Sequence, residues 1–304
     1  MRTKIVLGIG VLMALAAVAA VASPADGYRL EKRFDFAPGG RLVLRTEGGA
    51  AEVRGGDTAQ AIVLVTSKRA DFEKYFAVRF EESAGLLEVK IERRARGPLS
   101  WFDGWNGGAR VVVDLPSSAS AEVSSSGGGV EVTNLAGEVE AKSSGGGVAV
   151  SDVGGDVRAS SSGGGVAVER IGGSAVISSS GGGVQADAVA GDVEAGTSGG
   201  GVKITEAGGR VVASSSGGAV RVGFAAGNSK GGDLHSSGGG VHAWLDPAAA
   251  LDIDAHSSGG GVACDLPVTV RGKLRRNELE GKLNGGGAVL ELSSSGGGVS
   301  IEGR

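Results

Sequence analysis

Two short segments of the sequence carry the same pair of reactive side chains, Asp233-Leu-His235 and Asp254-Ala-His256, and each runs straight into Ser-Ser-Gly-Gly-Gly-Val. In an extended chain, residues two apart share a face. The spacing therefore turns Asp233, His235, Asp254 and His256 outward and Leu234 and Ala255 inward. If the two segments pair as neighbouring strands, the four groups lie on adjacent rungs about 4.8 Å apart. Imidazole and carboxylate are good ligands for zinc and similar metals, so a metal-binding ladder is one expectation. A solvated polar patch is the other, because an open flat face lacks the outer hydrogen bonds that orient metal ligands.

Other chemistry is poorly served. Serine is abundant, but no Gly-x-Ser-x-Gly sits on a strand–turn–helix pattern. Lys230 precedes Gly231-Gly232 without the Gly-Lys-Ser/Thr and helix of a phosphate loop. The glycine runs lack the repeated Asp of calcium-binding nonapeptides. No catalytic residue and no cofactor motif is assigned, and the chain reads as non-enzymatic. The densest aromatic patch is Trp101-Phe102-Asp103-Gly104-Trp105. Trp101, Phe102 and Trp105 could anchor a sugar or protein partner, or plug an open end of the fold, since an exposed cluster of that size would be adhesive. Cys264 reads as an inward, small apolar filler, and Trp244 as outward-facing.

The elements that would position these groups come from an internal repeat. Ser-Ser-Gly-Gly-Gly-Val closes at Val130, Val148, Val166, Val184, Val202 and Val220, always 18 residues apart, with Thr197 replacing the first serine in the copy at Val202 and Ala219 the third glycine in the last of these. Copies ending at Val241 and Val262 follow at intervals of 21, and a final copy ends at Val299. Within the unit Asp156–Gly173, Val157, Ala159 and Ser161 alternate with Arg158, Ser160 and Ser162, and Val166 and Val168 alternate with Ala167 and Glu169. Alternation with period 2 marks strands with one face inward. Two glycine runs separate the two strands of each unit, and their access to positive φ suits tight corners. The expected fold is all-β: a parallel β-solenoid (β-helix) of 18-residue coils. Some nine coils would form a rod of roughly 40 to 45 Å. A Gly/Ser linker would have no reason to hold valine in register.

The flanks differ from the repeat. Residues 23–116 form a β-rich N-terminal region with strand-like runs such as Arg41–Arg45, Ala61–Thr66, Leu87–Glu92 and Arg110–Leu115. Ala70 to Phe76 suits one helical turn. This region is either a cap over the first coil or a less regular first third of the same stack. Residues 117–304 form the repeat body, with a closing cap from about 278. At the start, Arg2 and Lys4 precede the apolar run Ile5–Val21 and the small residues Ala20-Val21-Ala22, the pattern of a signal peptide over 1–22. An uncleaved anchor is the competing reading; Pro24 and the crowding of small residues favour cleavage. The expected location is exported: periplasmic, outer-surface or extracellular. The chain has 304 residues, 59 of them glycine, 4% aromatic residues and a net charge of −4. A thin core of small side chains follows, and nucleic acid is excluded for want of clustered cations.

The passage Val111–Pro116 leading into Ala121–Gly137, and the closing run Gly286–Ile301, resemble the putative-adhesin family of bacterial envelope proteins. These are β-strand-repeat proteins, mostly domains of unknown function. The resemblance spans nearly all of the chain beyond the signal. It implies a repeat β architecture and an adhesive or envelope role, with envelope glycan, protein or membrane-associated material as partner. It supplies no catalytic residues. The triple glycines and very small side chains depart from the family pattern.

Overall fold

The computed structural model describes residues 27–94, 108–270 and 275–304. The described residues fold into two sheets, of 13 and 14 strands, in which most neighbours run parallel. In one sheet Val130, Val148, Val166, Val184, Val202, Val220 and Val241 are aligned partners on successive strands. In the other, Val139, Val157, Ala175, Val193 and Val211 are aligned in the same way. Each unit thus gives one strand to each sheet, and the 18-residue period becomes the register.

The alternation read from the sequence is the burial pattern. Val148, Val150 and Val153 of one strand and Val157, Ala159 and Ser161 of the next are all buried, and their neighbours face solvent. The buried residues of both sheets form one continuous cluster. Each buried valine is worth roughly 1.5–3 kcal/mol relative to an exposed one. At the N-terminal end larger side chains take over. Tyr28 packs on Phe72, whose ring stacks on Phe76 at 5.0 Å, and Phe34 meets Phe80 at 5.3 Å. The helical turn expected over Ala70 to Phe76 is a single 3-10 turn, Phe72–Lys74.

Strand order departs from chain order at both ends, and in the same manner. The pair Arg41–Thr46 and Gly49–Gly56 slots between Leu86–Arg93 with Ala109–Pro116 on one side and Ser120–Ser125 with Val130–Leu135 on the other. The pair Ala288–Ser294 and Val299–Gly303 slots between Gly232–Ser236 with Val241–Leu245 and Leu251–Ser257 with Val262–Cys264. The final repeat copy is therefore internal, where the sequence order suggests that it closes the stack. Antiparallel strands finish both ends. Tyr28–Asp35 and Gln60–Ser67 extend one sheet and Phe76–Ser83 the other, while Glu278–Leu283 and Val268–Val270 complete the C-terminal edge of the latter.

The role of the repeat glycines also needs correction. None of the glycines in the Ser-Ser-Gly-Gly-Gly-Val corners has positive φ. Their constraint is proximity: a Cβ on Gly164 would meet the amide nitrogen of Gly147, one unit away, at 2.4 Å. Positive φ occurs instead at the next-to-last residue of the strands that lead into the opposite corner, on Asn134, Asp152, Arg170, Ala188 and Glu206.

Candidate functional site

The serine of each corner is the first group whose chemistry the structure accounts for. Ser125, Ser143, Ser161, Ser179, Ser215, Ser236, Ser257 and Ser294 are buried, with Thr197 in the same role. A buried hydroxyl without partners is costly, and these have at least two hydrogen bonds each. Ser161 Oγ donates to the Gly146 carbonyl of the preceding unit at 2.7 Å and accepts from the Gly164 amide of its own corner at 3.0 Å. Ser143, Ser179 and Ser215 repeat the pattern. These hydroxyls tie neighbouring units together and close the turns, which leaves them unsuited to nucleophilic attack.

The histidine and aspartate segments do not become neighbours. The internal position of Ala288–Ser294 separates them, so the rungs read Asp233, Glu291, Asp254 and His235, Ser293, His256. The expected spacing of one rung is therefore two. His235 Nδ1 lies 2.8 Å from Ser293 Oγ and its Nε2 lies 3.1 Å from Ser237 Oγ. His256 Nε2 lies 3.4 Å from Ser258 Oγ. Asp233, His235, Asp254 and His256 all sit on the outer face, as their spacing requires. Among the described residues, no group of three or more His, Cys, Asp or Glu side chains is placed to hold a metal ion.

Trp101, Phe102 and Trp105 lie outside the described residues. Trp244 is half-buried on the outer face, donating from Nε1 to Glu302 at 3.0 Å and stacking on His242. Cys264 is half-buried against the core, and burial pushes its thiol above the ordinary value.

One concave feature among the described residues is a groove of about 600 Å³ that crosses the outer face of one sheet. It runs across six strands, from Gly49–Gly56 to Val202–Ala207, a span of about 24 Å at the usual inter-strand spacing. One side is the column of third corner glycines, Gly129, Gly147, Gly165, Gly183 and Gly201. The floor is the first outward residue of each strand: Glu131, Ala149, Ala167, Gln185 and Lys203, aligned by register. Glycine and alanine make the middle shallow and apolar, and charge appears only at the two ends.

The charged end nearest the N-terminal strands is tightly organised. Glu52 is 7% exposed. It accepts from Arg54 Nε at 2.6 Å and from Arg110 at 2.5 Å. Burial works against ionisation of Glu52, but the hydrogen bonds from Arg110 and Arg54 outweigh it and hold its carboxyl below the usual carboxylate range.

The floor was legible in the sequence only as the position after each repeat valine. Its concavity is a tertiary property. The strand pair Arg41–Gly56 was also hard to read. Its Thr46 is the aligned partner of Ser125 and occupies the corner-serine position, yet Glu47-Gly48-Gly49 replaces the Ser-Gly-Gly-Gly signature.

No family model and no curated protein matches this chain. Solved structures with a similar arrangement include a "putative adhesin" from Parabacteroides distasonis ATCC 8503, 15% identical, with a TM-score of 0.46 over 91% of this chain and 98% of the other. A "putative adhesin" from Bacteroides fragilis NCTC 9343 is 10% identical, with a TM-score of 0.45 over the same shares. A "putative lipid binding protein" from Parabacteroides distasonis ATCC 8503 is 12% identical, with a TM-score of 0.32 over 91% and 98%.

Proposed function

We propose that this chain is an exported envelope or cell-surface protein that binds extended envelope material along its outer faces and performs no chemistry of its own. On this reading residues 1–22 direct export, 23–116 form the β-rich N-terminal region, and 117–304 wind as a β-solenoid of 18-residue coils. The observation that carries the reading is the groove. Its lining recurs from unit to unit, and it crosses six strands with only small side chains in its middle. A surface of that form suits a long ligand with repeated contacts, as the resemblance in the repeats also implies. The corner hydroxyls support the absence of chemistry, because they are engaged with backbone amides and carbonyls.

The test is sedimentation of the purified chain, residues 23–304, with isolated bacterial envelope fractions. Saturable retention above that of an unrelated β-protein of similar charge is expected. Retention no greater than that control overturns the proposal.

A further inference from the structure

The groove has two features that narrow its ligand. The first is a row of free donors. The corner glycines Gly147, Gly165 and Gly183 are solvent-exposed, and among the described residues their amide N–H groups meet no acceptor. They recur once per strand, at about 4.8 Å. The second is charge. Glu52 and Glu131 are balanced by Arg110 and Lys203, so the ionised groups along the groove sum to zero.

We infer that the groove is a binding site for an uncharged, linear polysaccharide lying across the strands. This rests on the envelope-binding reading above and names the ligand class for it. In an extended β-1,4-linked glycan, each pyranose ring advances the chain by close to one inter-strand spacing and successive rings are turned over, so every second ring meets every second unit in the same way. The ring hydroxyls are acceptors for the row of glycine amides. The C–H faces of the rings fit the Ala149 and Ala167 methyls and the glycine Cα atoms, which present no bulk above the floor. Gln185 offers an amide donor and acceptor farther along. An extended peptide is a poorer match, because its side chains on one face recur at about 6.6–6.8 Å and fall out of step within a few rungs. An acyl chain would cover the glycine amides without accepting from them, which is unfavourable. The zero balance of charge gives a polyanion no advantage.

The experiment is calorimetric titration of the chain with cellohexaose and chitohexaose, their disaccharides, and palmitate. Two variants accompany the wild type. Ala167→Arg fills the groove at an exposed position, and Ser160→Arg adds the same charge on the outer face of the other sheet. At least one hexasaccharide is expected to bind, at least tenfold more tightly than its disaccharide. Ala167→Arg should weaken it tenfold or more, and Ser160→Arg less than twofold. Absence of glycan binding, equal loss in both variants, or binding of palmitate alone overturns the assignment. Retention on envelope fractions, measured on the same variants, separates the two proposals. Wild-type retention that Ala167→Arg leaves unchanged sinks the groove assignment and preserves the envelope reading, whereas no wild-type retention sinks the latter.

Discussion

The two corners of each repeat unit solve one problem, reversing the chain between sheets, in different ways. The Ser-Gly-Gly-Gly corner is uniform in sequence because it is crowded. A Cβ at its middle glycine would lie only 2.4 Å from the preceding unit's backbone at both Gly146 and Gly164, well inside van der Waals contact. The opposite corner also keeps a crowded glycine in every unit, Gly137, Gly155, Gly173, Gly191 and Gly209, but the strand end just before it is varied in sequence although its backbone is the less comfortable one. Asn134, Asp152, Arg170, Ala188 and Glu206 all hold positive φ there, a region that side chains with a Cβ enter at a cost. Steric exclusion by a neighbouring unit therefore constrains sequence more tightly than a strained dihedral. A strain of about a kilocalorie can be offset locally, whereas overlap with backbone cannot be relieved without parting the strands.

The largest effect expected from this contrast is at the crowded corner. Gly164→Ala should lower unfolding stability by about 2–3 kcal/mol in urea titration, and a loss below about 0.5 kcal/mol would break the comparison. Ser161→Ala comes next. It strands the Gly146 carbonyl and the Gly164 amide, at an expected cost of about 1–3 kcal/mol. Ser161→Thr should stay within about 1 kcal/mol of wild type, because Thr197 makes the same two bonds. Gly165→Ala sharpens the contrast within the corner itself. Its Cβ would lie 3.1 Å from the Gly183 carbonyl, and Ala219 already occupies the equivalent place, so the loss should be under about 1 kcal/mol.

At the opposite corner, Ala188→Gly should change stability by less than about 1 kcal/mol, in either direction. Relief of positive φ opposes the greater freedom of glycine in the unfolded chain. A larger loss on thermal unfolding would show that the side chain, and not the dihedral, matters there. The smallest effect is electrostatic. Hydrogen bonds from Arg170 hold the exposed Asp152 carboxyl below its ordinary value. A depressed folded-state pKa contributes stability above the unfolded value of about 3.9, and that contribution fades as the pH falls through the folded value. Asp152→Asn should therefore flatten a slight acid dependence of stability below about pH 4 and change little at pH 7.

Much of this architecture is readable from residue order. Val157, Ala159 and Ser161 face inward because strand side chains alternate, and the 18-residue spacing brings Val148 beside Val166. The candidate sites were less legible. Asp233 and His235 face outward as their spacing demands and pair on one side with Val212 and Ser214 of the preceding unit, but their other neighbours on the sheet are Glu291 and Ser293, more than fifty residues later. Nothing local marks that pairing. The groove followed the same pattern: Ala149 and Ala167 were visible as outward residues, and their place beside a column of exposed glycines was not.

The sequence by itself determined the repeating unit, with its two strands, its inward valines and alanines and the inward serine ahead of each glycine corner. Those features depend on side-chain alternation and on spacing along one stretch of chain. Tertiary structure alone decided that Arg41–Gly56 and Ala288–Gly303 enter the ladder between units that are consecutive in the chain. The physical reason is that every strand edge presents the same backbone donors and acceptors. Which edge a strand joins is settled by the pairing and packing of the whole sheet.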